Sequence, residues 1–234
     1  MSSKGMLEAI GNTPLVRLRT IVPDGAAEVL VKLEYYNPTG SYKDRMALSM
    51  IERMERAREI ASEGPSYATD QMRNPDMVAG YESLGEELLE QIERPIHTFC
   101  AAVGTSGMLM GTARVLLRRE PRPRIVAFEP ATSSVLTGGK PGTHGVEGVA
   151  PGFVPPQFDR SLVSEARGVS ETSGRRMASE LARREGIFAG TSTGLNLAGA
   201  LQIAREIGSA HTVVTVAVDS GFKYLAGDLY AVTP

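Results

Sequence analysis

The apolar positions of this chain change period several times, and each change predicts an element. Leu15 to Leu18 and Val29 to Glu34 form short apolar runs that predict strands, parted by the turn residues Pro23-Asp24-Gly25. No Gly or Pro occurs from Ser41 to Glu63, where Ala47, Met50, Ile51, Met54, Ala57 and Ala61 recur at helical spacing. That pattern predicts one long amphipathic helix, stopped by Gly64-Pro65 and followed by a short extended piece, Tyr67 to Thr69. Asn74-Pro75-Asp76 predicts the start of a second helix running to about Glu93. His97 to Val103 reads as a buried strand, Gly104 to Gly111 as a turn, Thr112 to Arg119 as helix and Ile125 to Phe128 as strand. Gly138 to Pro156, rich in Gly and Pro, predicts an ordered loop lining a site, or a flap. Leu162 to Glu165 reads as extended, Ser170 to Glu185 and Leu195 to Ile207 as helices, Thr212 to Val218 as a strand and Phe222 to Leu229 as a last short helix. Strands alternating with helices predict an α/β fold with a mostly parallel sheet flanked by helices.

Composition narrows the function classes. A length of 234 residues allows one large domain or two small ones. A net charge of −2 and a pI near 6.0 give no general attraction to nucleic acid or an anionic membrane. Arg118, Arg119, Arg122 and Arg124 cluster, but Pro and Glu interrupt them, as at a solvated helix end. One cysteine, Cys100, excludes an intramolecular disulfide, and its apolar neighbours place it in a core. No run of 18 apolar residues and no N-terminal signal pattern occurs, so a cytoplasmic protein is expected. Three scattered histidines and the single cysteine show no metal-ligand spacing.

Three stretches carry candidate chemistry. In Asn37 to Arg45 (NPTGSYKDR), Pro38 and Gly40 break the chain and Ser41 can cap a helix whose first turn holds Lys43 and Asp44. A lysine there meets the positive end of the helix dipole, which disfavours its protonated form and suits Schiff-base formation; an ordinary surface lysine is the other reading. Gly104-Thr105-Ser106-Gly107-Met108 joins a strand to a helix, where backbone N–H groups can converge on an anion; a plain turn would look the same. It is neither a P-loop nor a G-x-G-x-x-G fingerprint. Val218-Asp219-Ser220-Gly221 ends the last strand, on the side where parallel sheets bind ligands, or simply caps the last helix. Gly190-Thr191-Ser192-Thr193-Gly194 matches the G-x-S-x-G elbow of hydrolases. After Ser192 come His211 and then Asp219, the wrong order for that triad.

"IGNTPLVRL" (Ile10 to Leu18) and "KLEYYNPTGSYKDR" (Lys32 to Arg45) resemble the opening of the cysteine synthase and cystathionine β-synthase family, pyridoxal-phosphate enzymes of the tryptophan-synthase-β fold type, also called fold type II. The segments Thr69 to Leu88, Phe128 to Pro155 and Gly186 to Gly194 resemble it too. The resemblance implies that pyridoxal 5'-phosphate is the cofactor and Lys43 its Schiff-base lysine and proton carrier. It implies that Gly104, Thr105, Ser106, Gly107 and Met108 hold the phosphate, and that Ser220 meets the ring nitrogen. A hydroxyl there enforces no ring protonation, which suits β-elimination and β-replacement. Against the family's Gly-Thr-Gly-Gly-Thr loop, this chain has Ser106 for a glycine and Met108 for a threonine, losing one hydroxyl contact.

The implied reaction joins an activated serine (O-acetylserine or O-phosphoserine) to sulfide, giving cysteine, in a cytoplasmic homodimer, with the 138–152 loop near the substrate. Cystathionine β-synthase or serine/threonine dehydratase chemistry would use much the same residues. The family also has, after the lysine helix, a small mobile domain with a Ser/Thr-Gly-Asn-Thr-Gly-like loop that grips the substrate carboxylate. That segment is not found here. The helix at about 41–63 spans its place, so residues 1–234 are expected to form a single cofactor-binding domain. The loss weakens substrate positioning and water exclusion, and makes a catalytically weak or inactive cofactor-binding or interaction protein the alternative.

Overall fold

The computed structural model describes residues 5–60 and 70–231, for 53–60 the backbone alone. Its centre is a six-stranded sheet, β1 (Leu15–Arg17), β2 (Glu28–Leu33), β3 (Thr98–Ala102), β4 (Arg124–Pro130), β5 (Glu165–Val169) and β6 (Thr212–Ala217), in the order β1-β2-β6-β3-β4-β5. Only β1 runs antiparallel to its neighbour. The near-continuous apolar runs of the inner strands follow from burial on both faces. Alternate residues serve opposite cores. Val29, Val31, Cys100, Val126 and Phe128 pack with α5 (Glu171–Glu185) and α6 (Thr191–Ile207); Leu30, Phe99, Ala101, Ile125 and Val214 pack with α1 (Lys43–Ile60), α2 (Pro75–Gly80), α3 (Glu82–Gln91) and α4 (Gly107–Leu116).

Several boundaries differ from the pattern. The helix expected from Asn74 to Glu93 is two, with Asn74 capping α2 through the Asp76 N–H and the chain turning at Tyr81. A Cβ on Gly80 would press on the Arg45 carbonyl oxygen at 2.7 Å, so glycine lets α2 cross α1 closely before α3 departs. α4 starts at Gly107 inside the expected turn, because Gly111 faces the Val78 carbonyl, where any side chain would overlap. Likewise α6 begins at Thr191, and Gly194 abuts Gly174 of α5. The fifth strand lies at Glu165–Val169, later than expected, since an edge strand held by the ion pairs Arg124–Glu165 and Arg167–Glu165 has polar residues where the pattern looks for apolar ones. The last helix shrinks to a 3-10 turn at Gly221–Tyr224. The long helix is described to Ile60, and the extended piece Tyr67 to Thr69 lies outside the described residues.

Candidate active site

The chain passes outward through β3, β4 and β5, then returns to place β6 between β2 and β3. Carboxyl ends of parallel strands at such a reversal leave a crevice, the usual ligand position in open α/β sheets. Two adjoining clefts of about 150 and 210 Å3 open there and share Tyr42, Lys43, Gly148 and Val149 as walls. The first adds Ser41, Ala102, Met108, Glu147, Ser192, Val218, Asp219 and Lys223; the second adds Met46, Gln71, Met72, Tyr81, Gly104, Thr105 and Pro151. No structured element fills residues 138–152, and that loop supplies the common wall, as the Gly/Pro content predicted.

Lys43 opens α1, with its N–H donating to Ser41 Oγ at 3.3 Å and its side chain exposed at the cleft. What fixes it there is a buried charge network just beneath. Arg45 is bidentate to Glu34 at 2.7 and 2.8 Å and to Glu87 of α3 at 2.7 and 2.8 Å. Lys32 Nζ reaches Glu87 at 2.7 Å and the Thr13 carbonyl at 2.7 Å, while Thr13 Oγ1 donates to Glu34 at 2.6 Å. Asn37 Nδ2 donates to Glu34, and its Oδ1 accepts from Gly11 N–H. The turn before α1 is closed by Asp44, which accepts from the N–H and hydroxyl of Thr39. Residues of both resembling motifs therefore meet in one cluster, and it aims the first turn of α1 at the crevice.

Burial alone would raise the Glu87 carboxyl, but the Arg45 guanidinium, with Lys32 and the Asn12 N–H, holds it from 4.5 down to about 2. A carboxyl lowered on folding stabilises the fold above its ordinary value and loses that contribution as pH falls toward its folded value. We expect stability to drop by about 3 kcal/mol between pH 4.5 and 2 from this group alone. Glu87→Gln should flatten that part of a urea-denaturation pH series; an unchanged acid limb would remove the assignment.

The glycine loop stands at the entry to α4. Ser106 has φ 74°, its Oγ is buried without a partner, and the N–H groups of Thr105, Ser106, Gly107 and Met108 have no acceptor among the described residues. Four converging donors at the positive end of a ten-residue helix form a cradle for an anion. Gly104 touches the cleft-wall loop so closely that a Cβ would overlap the Gly148 carbonyl oxygen. Gly104→Ala is expected to weaken anion binding at the cradle at least tenfold, read by isothermal titration with pyridoxal phosphate.

Asp219 is a half-buried wall residue. One oxygen accepts from the Tyr224 hydroxyl at 3.0 Å and the other has no partner; burial raises its carboxyl, opposed by Tyr224 and Lys223. Burial also pushes the Tyr42 phenol up to about 12, so it is a hydrogen-bond donor at the cleft. Ser220 stands one residue beyond the wall, its N–H donating to the Gly40 carbonyl at 3.1 Å and its Oγ capping Phe222 N–H at 3.3 Å. Of the predicted residues, Lys43, Gly104, Thr105 and Met108 line the clefts, Ser106 and Gly107 complete the cradle, and Ser220 sits at the edge. Tyr42, Gln71, Glu147, Ser192, Asp219 and Lys223 are walls that the sequence reading did not assign. Ser192, whose G-x-S-x-G surroundings lack the hydrolase order, nonetheless lines the cleft. His97 and His211 meet edge to face, ring centroids 4.5 Å apart, at the amino ends of β3 and β6.

A crevice with a lysine on one lip and an anion cradle on the other defines a cofactor-dependent α/β enzyme class. The profile described as "Pyridoxal-phosphate dependent enzyme" matches residues 6–57 and 52–219, and the chain belongs to that family. It is 33% identical to a cysteine synthase of Staphylococcus aureus over 297 aligned positions, covering 96% of both chains, and 30% identical to a probable cysteine synthase of Bacillus subtilis over 302 positions, again 96% of both. Those 297 positions are 63 more than the chain has residues, and the two profile matches meet at 52–57. Among solved structures, an O-ureido-L-serine synthase superposes with a TM-score of 0.89 at 26% identity, covering 98% of this chain and 96% of that one. A cysteine synthase from Entamoeba histolytica shares the fold, with a TM-score of 0.89 at 24% identity over 100% and 92%. The fold is that of the type II pyridoxal-phosphate enzymes, and the cofactor of the family is pyridoxal phosphate.

Proposed function

We propose that the chain catalyses β-replacement on an activated serine, with sulfide as nucleophile and cysteine as product. The observation that carries this is the juxtaposition of Lys43 with the unpaired amides of 105–108 across one crevice. The residues fit the cofactor: the cradle and the orphaned Ser106 hydroxyl would hold its phosphate, and Lys43 Nζ its aldehyde. When bound, pyridoxal phosphate supplies an aldehyde that engages amines and a ring that withdraws electrons from the substrate's Cα. Ser220 accepts its cap bond through oxygen, so its hydroxyl proton is free to donate to the ring nitrogen. Lys43 Nζ takes the substrate α-proton. Tyr42 and Gln71 offer donors along the wall, and Gly148 and Val149 of the 138–152 loop form a further wall of both clefts beside Lys43.

The reading includes a cytoplasmic homodimer, carried by the resemblance. It also includes a single domain in which the stretch present in the relatives and absent near 52–57 corresponds to the small mobile domain. That gap, with the exposure of Lys43, favours a second reading: a chain that holds the cofactor but turns over poorly. Borohydride treatment of the protein with pyridoxal phosphate should fix the cofactor's mass on the Lys43 peptide; its absence there sinks both readings. Cysteine formed from O-acetylserine and sulfide favours the first, and cofactor fixed without cysteine favours the second.

A further inference from the structure

β2 and β6 pair along their whole length, and β3 and β4 likewise, but β3 and β6 pair only at Thr98↔Val213 and Phe99↔Val214. Above that point side chains replace the ladder. Val103 N–H donates to Phe128 of β4, so alternation turns the Ala102 N–H toward β6. Continued at the same register, Ala102 would stand opposite Ala217, and its N–H would run directly to the Val216 carbonyl. Instead the side-chain amide of Asn196, from α6, lies between them. Its Oδ1 accepts from Ala102 N–H at 2.6 Å and its Nδ2 donates to Val216 O at 2.9 Å, and the residue is fully buried. One rung lower, Thr215 Oγ1 takes the Cys100 carbonyl at 2.8 Å.

Just above this inserted amide, Ala102, of β3, and Val218, following β6, both line the Lys43 cleft. The same helix sends Ser192 into the cleft and Thr193 Oγ1 to Val218 N–H at 2.9 Å. We infer that Asn196 is a positioning residue: by standing in for one sheet rung it holds β3 and β6 an amide's width apart and so sets the width of the cofactor crevice. A polar group buried among Ala, Val and Leu has no packing reason to be there, whereas a wedge must satisfy both strands it separates. The inference rests on the cofactor reading above, but its geometric half stands without it.

Asn196→Ala removes both bonds and the bulk of the amide, leaving Ala102 N–H and Val216 O free to pair with each other. Thr215→Val is the control, a buried polar loss in the same ladder that lines neither cleft. Both should lower Tm; only Asn196→Ala should weaken pyridoxal phosphate binding, at least tenfold by absorbance titration at a temperature where each is folded. A crystal structure of the cofactor-free variant should bring Ala102 N within 3.5 Å of Val216 O, the limit of a useful bond. Should Asn196→Ala fail to fold, Asn196→Ser keeps a polar group but is too short to span both strands, and should weaken binding at least threefold. Unchanged affinity in a folded variant overturns the inference, as do strands that stay apart without the wedge. Failure of the parent protein to bind the cofactor sinks the functional reading instead, and the crystal structure still decides the geometry.

Discussion

Arg45→Met should lower the unfolding free energy by about 3–5 kcal/mol, the usual cost of removing one partner from a buried ion pair. For a chain of this size that is a fall in Tm of roughly 6–20 °C. The guanidinium is 2% exposed and the Glu34 carboxylate 0%, so solvent screening relieves neither. Removing Arg45 would strand Glu34 with only the Thr13 hydroxyl and Asn37 amide, and would leave Glu87 with Lys32. Arg45→Lys should recover only part, since an ammonium cannot span two carboxylates bidentately. Arg45→Met combined with Glu34→Leu should be less destabilised than the single variant, because no unpaired buried charge remains. Thermal melts followed by circular dichroism decide it, and a fall under 2 °C for the single variant would mean the network does not anchor α1.

The sequence made the architecture legible where burial was two-sided and continuous. Thr212 to Val218 and His97 to Val103 stood out as strands because their residues are almost all apolar, with only threonine, itself a strand former, among the inner polar positions. It was silent where glycines do packing work: Gly107, Gly111 and Gly194 read as turn residues and Gly80 as the interior of one helix, yet each lies in or at the end of a helix at a close approach that any side chain would block. The lysine and the cradle were legible because turn chemistry is local. The remaining walls were not, since Gln71, Glu147 and Lys223 are ordinary polar residues until the sheet reversal gathers them. Arg45 looked like any first-turn charge, and only the distant Glu87 makes it structural. The last expected result turns on that contrast within one turn of helix.

Lys43→Ala should leave stability nearly unchanged while removing function, the reverse of Arg45→Met two residues on. The Lys43 side chain is exposed and makes no hydrogen bond or ion pair with the described residues, so its loss should move stability by no more than about 0.5 kcal/mol. Cysteine formation from O-acetylserine and sulfide should fall by roughly 10²–10⁴ through loss of the proton carrier alone, and further through loss of the covalent anchor. The cofactor should still bind, more weakly, through the 105–108 amides, because those donors belong to the backbone and do not depend on Lys43. Added methylamine should restore part of the rate, since a small free amine can enter the volume the side chain vacates at an open lip. A variant that keeps its rate within tenfold of the parent, or that loses more than 5 °C of Tm, would show that Lys43 is neither the chemical lysine nor a free surface side chain, and the crevice would need another amine.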